Sequence, residues 1–221
     1  MELFMSLKKL TDSIHKEAEQ TKWSKLLISG NINEDQYGQY LYNLLYIYGS
    51  LETKAFEYRL FRENPDLKWI KRDNAIFLDL GWFKHETGYE KTTLQYVEYI
   101  NNLDRTEVLA HMYVRHFGDM YGGSIIAKKL MKVTDTTRFK DMVKFVKEEQ
   151  KRDPTIQLPI ANGDEHTQLY CFKNDDTGEN IKGELKEKMR SLLDISMADE
   201  AIMAFRFAIN LFKDLENRFD L

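Results

Sequence analysis

A chain of 221 residues with a formal net charge of −4 and 31% charged side chains is long enough to bury a full core as one domain. That charge balance excludes nucleic-acid recognition by bulk positive charge. The single cysteine, Cys171, excludes an intrachain disulfide and fits a reducing compartment, expected to be the cytoplasm.

The start, Met1-Glu2-Leu3-Phe4-Met5, lacks the basic flank and apolar run of a secretion signal. No apolar run as far as Leu221 reaches the length of a membrane span, so no membrane anchor is expected. Residues 6–20 predict a first helix with Leu7, Leu10, Ile14 and Ala18 as its apolar stripe and Ser6 as its N-cap. His15 lies beside that stripe with Glu19 at i+4. A carboxylate there can receive one ring N–H and leave the other nitrogen for a metal, although a lone histidine on such a helix is more commonly a boundary residue. Trp23 to Ile28 is a short apolar turn, followed by the loop Gly30-Asn31-Ile32. Asn33 and Gln36 match a capping box. The helix they open runs through Tyr37, Tyr40, Leu41, Leu44, Leu45, Tyr48 and Leu51 and stops before Pro65. A further helix is expected over 66–80, then a loop from Gly81 to Tyr89 with a solvated His85, then a helix from Thr92 to Leu103.

After Asp104, Val108, Leu109, Met112 and Phe117 keep a helical apolar spacing that Ile125, Ile126, Leu130 and Met131 resume. One long helix therefore carries Gly118, Gly122 and Gly123, at a cost of roughly 3 kcal/mol relative to alanines. Gly118 and Gly122 share a face, and their bare backbone admits close approach of either a flat ligand or a neighbouring helix. Asp119 sits among them, a carboxylate where a core-facing helix rarely leaves one unpaired. Residues 137–151 read as a charged amphipathic helix with Phe139, Met142, Val143 and Val146 inside, and the stretch to Gln168 reads as loop. Leu169-Tyr170-Cys171-Phe172 is an apolar run in which Cys171 serves packing. Ile181 to Leu193 is a basic helix carrying Lys182, Lys186, Lys188 and Arg190, either a solvated face or a seat for paired carboxylates. Ser196 with Asp199 is expected to cap the last helix, which runs to about Phe219 with Ala201, Ala204, Phe205, Ala208, Leu211 and Phe212 on its core face.

The segment from His111 to Lys129, with Ala110, His111, Tyr113, Arg115, Gly118, Asp119, Gly122, Gly123, Lys128 and Lys129 in matching places, resembles the distal-helix signature of the heme oxygenases. Leu7-Lys8, Thr11, His15 and Glu19 resemble the proximal helix of the same family, and Asp79-Leu80 is similar to a structural Asp-Leu pair. The resemblance covers nearly the whole chain apart from an insertion around 137–168. It implies an all-α, single-domain bundle over residues 1–221, with heme sandwiched between a proximal and a kinked distal helix.

On that resemblance His15 is the axial ligand of heme iron and Glu19 its orienting partner. Gly118, Gly122 and Gly123 lie over the other heme face, and Lys8, Tyr113, Lys182 and Lys186 hold the propionates. Asp119, with Arg115 and Tyr48, holds the distal water network that delivers protons. The implied activity is oxidative cleavage of heme b, cofactor and substrate at once, to biliverdin (the IX-alpha isomer), carbon monoxide and iron. It uses O2 and electrons from an external donor such as ferredoxin, with a bilin reductase as a downstream partner and neither nucleic acid nor membrane. Tyr121 stands where a small serine is usual, Ala208 where the last helix usually carries an asparagine that contacts the distal water, and Val114 and His116 also depart from the pattern. Two other readings remain: a heme-binding carrier or sensor without oxygenase activity, and a thiaminase-like helical enzyme, for which Cys171 lacks a recognisable catalytic setting.

Overall fold

The computed structural model describes residues 2–81, 83, 85–130, 169 and 181–221, with the side chains of residues 2–6 and 124 excepted. The expected 137–151 helix, the stretch to 168 and the run Tyr170-Cys171-Phe172 lie outside the described residues. Every regular element among the described residues is helical: α1 (Glu2–Gln20), α2 (Lys22–Ser29), α3 (Glu34–Glu57), α4 (Leu60–Glu63), a 3-10 turn (Pro65–Ile70), α5 (Asp73–Leu80), α6 (Lys91–Asn101), α7 (Arg105–Leu130), α8 (Lys182–Arg190), a second 3-10 turn (Ile195–Met197) and α9 (Ala198–Arg218).

Two helices organise the rest. α3 packs against α5, α6 and α7, and α9 packs against α1, α2, α6 and α7. Leu41, Leu44, Ile47, Tyr48 and Leu51 of α3 are almost wholly buried, because the helix has neighbours on several sides rather than on one stripe. The capping box at its start forms as expected: Gln36 N donates to Asn33 Oδ1 at 2.8 Å, and Asn33 N donates to Gln36 Oε1 at 2.9 Å. α9 is tied to α2 by Trp23, whose backbone N donates to Glu216 Oε1 at 2.8 Å and whose ring stacks on Phe219 at 5.9 Å.

Several boundaries differ from expectation. α1 begins at Glu2, so Ser6 lies inside the helix and is not its cap. Leu10 is 49% exposed, and the inner stripe is Leu7, Thr11, Ile14 and Ala18, a strict i, i+4, i+7, i+11 row. α3 does not reach Pro65. It ends at Tyr58, and Arg59 turns left-handed (φ 58°). No glycine or proline marks this break. Long-range packing makes it, with Leu60 fully buried and the Tyr58 hydroxyl donating to Leu103 O at 2.9 Å. The helix expected over 66–80 is split by Lys71 and Arg72, where Arg72 N donates to the buried carboxylate of Glu52 at 2.6 Å. The last helix is capped through a 3-10 turn whose Ser196 N donates to Asp194 Oδ1 at 2.8 Å, so Ser196 is a donor to the cap and not the cap itself. Asp79 has the structural role its resemblance implies, accepting from Leu169 N at 2.8 Å while fully buried.

Gly30 closes α2 with φ +75°, and its N–H donates to Leu26 O at 3.0 Å. A Cβ there would stand 2.7 Å from Lys129 Cβ on α7. Gly30→Ala is therefore expected to lower stability by about 1–2 kcal/mol from the left-handed backbone alone, with the contact against α7 adding to it. A denaturant midpoint equal to wild type would show that α2 and α7 tolerate separation here.

Candidate active site

The distal helix α7 is continuous from Arg105 to Leu130, so its glycines are accommodated within the helix and do not end it. Gly118 and Gly122 are exposed, and a Cβ built on either meets nothing within 4 Å among the described atoms. That separates them from Gly30, the glycine that does serve close approach of helices. Gly123, next to them, is buried. The helix-packing reading of the Gly118/Gly122 pair thus finds no neighbour to pack against among the described residues.

Behind this face lies a polar cluster. Asp119 is half-buried and accepts a hydrogen bond from the Tyr48 hydroxyl, which α3 delivers from a fully buried position. Arg115, one turn before Asp119, lies with its guanidinium 5.6 Å from the centre of the Tyr48 ring. It is 7% exposed, and its Nε and Nη2 are buried without a hydrogen-bond partner among the described residues. Burial pushes the Asp119 carboxyl above the ordinary carboxylate range, against the downward pull of the Arg115 charge and the Tyr48 hydrogen bond. Burial, and then the neighbouring Asp119, hold the Tyr48 hydroxyl well above the usual tyrosine value, so it remains a donor.

His15, on α1, is half-exposed. Its Nδ1 is 3.5 Å from Glu19 Oε1, which leaves Nε2 free to ligate, and its ring meets Phe205 of α9 edge-on at 5.5 Å. Lys8 is exposed on the same helix. Helices α1 and α7 both pack on α9 and not appreciably on each other. Tyr113, half-buried, begins a row of rings along α7, with Phe117 at 6.0 Å from it and Tyr121 at 6.1 Å from Phe117. Lys182 and Lys186, expected at propionates, both reach α7. Lys182 Nζ donates to Met120 O at 2.8 Å, and Lys186 Nζ stands 5.2 Å above the Tyr121 ring. Their ammonium groups therefore border the glycine face at positions 120 and 121.

The other histidines are committed elsewhere. His111 is fully buried between the Tyr96 hydroxyl at 2.7 Å and Glu200 Oε2 at 3.1 Å, joining α6, α7 and α9. His116 is fully buried with Nδ1 3.2 Å from Met112 O and Nε2 3.1 Å from Glu52 Oε1. Burial lowers His116 to about 3 and raises Glu52 well above its ordinary value. His85 is exposed and stacks on Tyr42 at 4.7 Å. The sequence reading missed the Glu52 partner of His116. Among the described residues no cluster of three His, Cys, Asp or Glu is arranged around a metal. No helix among the described residues is long and apolar enough to cross a membrane.

The bundle thus presents a half-exposed imidazole at His15 and, among the described residues, a face of α7 with exposed glycines at 118 and 122. A sequence model of the heme oxygenase family matches residues 1–214, and the chain belongs to that family. It is 28% identical to a heme oxygenase of Guillardia theta, over 97% of this chain and 86% of that one. It is 25% identical to heme oxygenase 2 of Macaca fascicularis, over 95% of this chain and 64% of that one. The chain accordingly spans a little under two thirds of the length of that relative. The fold matches the crystal structure of heme oxygenase-2 from the cyanobacterium Synechocystis in complex with heme and NO, with a TM-score of 0.69, 22% identity, and coverage of 98% of this chain and 86% of that one. It also matches the heme oxygenase of Leptospira interrogans, with a TM-score of 0.62, 21% identity, and coverage of 96% and 98%.

If the glycine face is free of helix packing, filling it should help the empty protein. Gly118→Ala and Gly122→Ala are each expected to stabilise the apoprotein by up to about 1 kcal/mol, the opposite sign to Gly30→Ala. A lowered thermal midpoint for both would mean that a neighbouring segment uses that face.

Proposed function

We propose that the protein is a heme oxygenase that cleaves heme to biliverdin (the IX-alpha isomer), carbon monoxide and iron, using O2 and electrons from an external donor such as ferredoxin. The observation that carries this reading is the Asp119 carboxyl, bonded to Tyr48 and backed by Arg115, beside a glycine face with no side chain in the way. A carrier needs the open face and the histidine. It does not need a half-buried acid at the face where oxygen would bind.

Heme, when bound, supplies the iron at which O2 is reduced and the porphyrin carbon that is oxidised. The residues divide the remaining work. His15 offers Nε2 while Glu19 engages Nδ1 and fixes the tautomer. A neutral imidazole in that role avoids the strong electron push of a thiolate, which favours O–O cleavage. Gly118 and Gly122 admit the porphyrin plane close to the helix backbone, and Gly123 belongs to the same stretch. Lys182 and Lys186 lie at the border of this face, where exchanging a carbonyl or a ring for a carboxylate strengthens the contact; Lys8 and Tyr113 are further propionate partners. Asp119 holds a proton or an ordered water near the oxygen site, and burial raises its affinity for protons. Tyr48 keeps the carboxyl oriented. A reductase that consumes bilins is the partner expected downstream.

His15→Ala is expected to abolish the nitrogenous-ligand spectrum of the hemin complex, and added imidazole to restore part of it. An unchanged spectrum would reassign the ligand, with His85 the accessible alternative. Asp119→Ala should bind hemin within a few-fold of wild type yet form bilin at least about 100-fold more slowly with ferredoxin and its reductase. Wild-type bilin formation by Asp119→Ala would discard the proton-delivery role. Tight hemin binding with no bilin from the wild type under any reductant would establish a carrier.

A further inference from the structure

Two polar contacts join α3 to α7 across their packed faces, and the proposed function uses only one of them. Tyr48 and Glu52 stand one turn apart on α3, and His116 and Asp119 one turn apart on α7. The Tyr48 hydroxyl donates to Asp119, and Glu52 Oε1 lies 3.1 Å from His116 Nε2. The order is reversed between the helices, 48 with 119 and 52 with 116, so the contacts are successive rungs between antiparallel helices. His116 also links the rungs sideways, since its ring meets that of Tyr48 edge-on at 4.8 Å with an interplanar angle of 68°.

The second rung holds a proton by its geometry. His116 Nδ1 is 3.2 Å from Met112 O, and a carbonyl only accepts, so Nδ1 carries a hydrogen. Nε2 then meets Glu52 Oε1 either as an imidazolium donating to a carboxylate or as an imidazole accepting from a carboxylic acid. In both forms one proton lies between the two atoms and the pair is neutral as a whole. The imidazole is fully buried and the Glu52 side chain is 2% exposed, so adding or removing that proton would leave a net charge out of reach of water. Burial opposes a lone charge on either member, lowering His116 and raising Glu52. The carboxyl is also held from the break before α5: Arg72 N donates to Oε1 at 2.6 Å, Asp73 N to Oε2 at 3.5 Å, and Lys71 Nζ stands 4.0 Å from Oε2. Lys71, Arg72 and Asp73 are thus the charged residues around Glu52, and Arg72, Arg115 and Asp119 those that act on His116.

We propose that Glu52 and His116 are positioning residues of the distal site: the proton they share locks the register of α3 on α7 and so holds the Tyr48 hydroxyl against Asp119. Neither residue touches substrate. Sliding of α3 along α7 would move both rungs together, because each pair comes from the same two helix faces. His116 departs from the family pattern, so the lock is a property of this chain's own residues. It rests on the heme oxygenase reading and adds the support that Asp119 requires there.

The test separates the hydrogen bond from the ring. His116→Gln keeps a donor near the Nε2 position and gives up the ring, whereas His116→Phe keeps a ring against Tyr48 and gives up the bond. Hemin affinity should stay within about threefold in both. In the ferric hemin complex, His116→Phe should move the pH midpoint of the alkaline spectral transition by at least about half a pH unit, and bilin formation should fall about tenfold. His116→Gln should leave that midpoint within about 0.2 pH unit of wild type. An unmoved midpoint in His116→Phe would overturn the proposal. An equal shift in His116→Gln would overturn it too, by assigning the effect to the ring. The wild-type apoprotein supplies an arm that needs no variant to fold. By nitrogen NMR, the His116 ring should keep one signal pattern with Nδ1 protonated from about pH 5 to about pH 8; titration through the ordinary histidine midpoint of about 6.5 would overturn the shared proton. If the wild type binds hemin and forms no bilin, the proposed function fails while the NMR and spectral arms still report on the pair.

Discussion

A guanidinium buried in a helical bundle sets the terms for the rest of this molecule. Arg115 is 7% exposed and remains charged at any accessible pH, so its surroundings must supply what water no longer does. Tyr48 gives a ring face, and Asp119 an opposite charge one turn along the same helix. These groups come from α3 and α7, and the two helices could not separate without exposing an unpaired charge to an apolar core. Removing one member would cost more than the bond it makes, because the remaining groups would stay buried and unmatched. Two donors of the guanidinium have no partner among the described residues and so are available to ordered solvent or to a ligand.

The sequence was informative wherever the cause of a feature was local. The capping box of Asn33 and Gln36 lies within four residues and could be read directly. The helical stripe of the distal segment carried across its glycines because the apolar spacing resumed in register. Breaks caused by distant groups left no mark. Nothing near Arg59 announces a left-handed residue, because the reasons are the burial of Leu60 and the carbonyl of Leu103. The split at Lys71 and Arg72 depends on Glu52, twenty residues earlier. In the site, the pairing of Tyr48 with Asp119 came through family resemblance, since the two are 71 positions apart. Periodicity reports which face a residue occupies, not where its terminal atom ends. His116 was visible as a departure, but not the buried carboxyl of Glu52 that it meets.

The glycines of this chain illustrate two opposite uses of a missing side chain. At Gly30 the left-handed backbone and the nearness of Lys129 make any Cβ costly, and the absence serves packing. At Gly118 and Gly122 there is no such neighbour among the described residues, and under the proposed function the absence serves a bound ligand. The helix accepts lower intrinsic stability in that turn, the usual relation between a binding surface and the scaffold that holds it.

The same turn has a mechanical consequence. α7 is pressed against Gly30 through Lys129 near one end and tethered through Met120 by Lys182 of α8. Between these two supports lie Gly122 and Gly123, where helix propensity is lowest, and among the described residues a Cβ on Gly122 would meet nothing within 4 Å. Such an arrangement behaves as a beam held on either side of its weakest section. Bending concentrates there, and the helix can settle onto a plane of a given thickness without disturbing the Arg115 cluster one turn earlier. Because the tether at Met120 is an ammonium on a flexible stem, motion of α8 is transmitted to this section rather than to the core, so the closeness of the grip is set from outside the bundle.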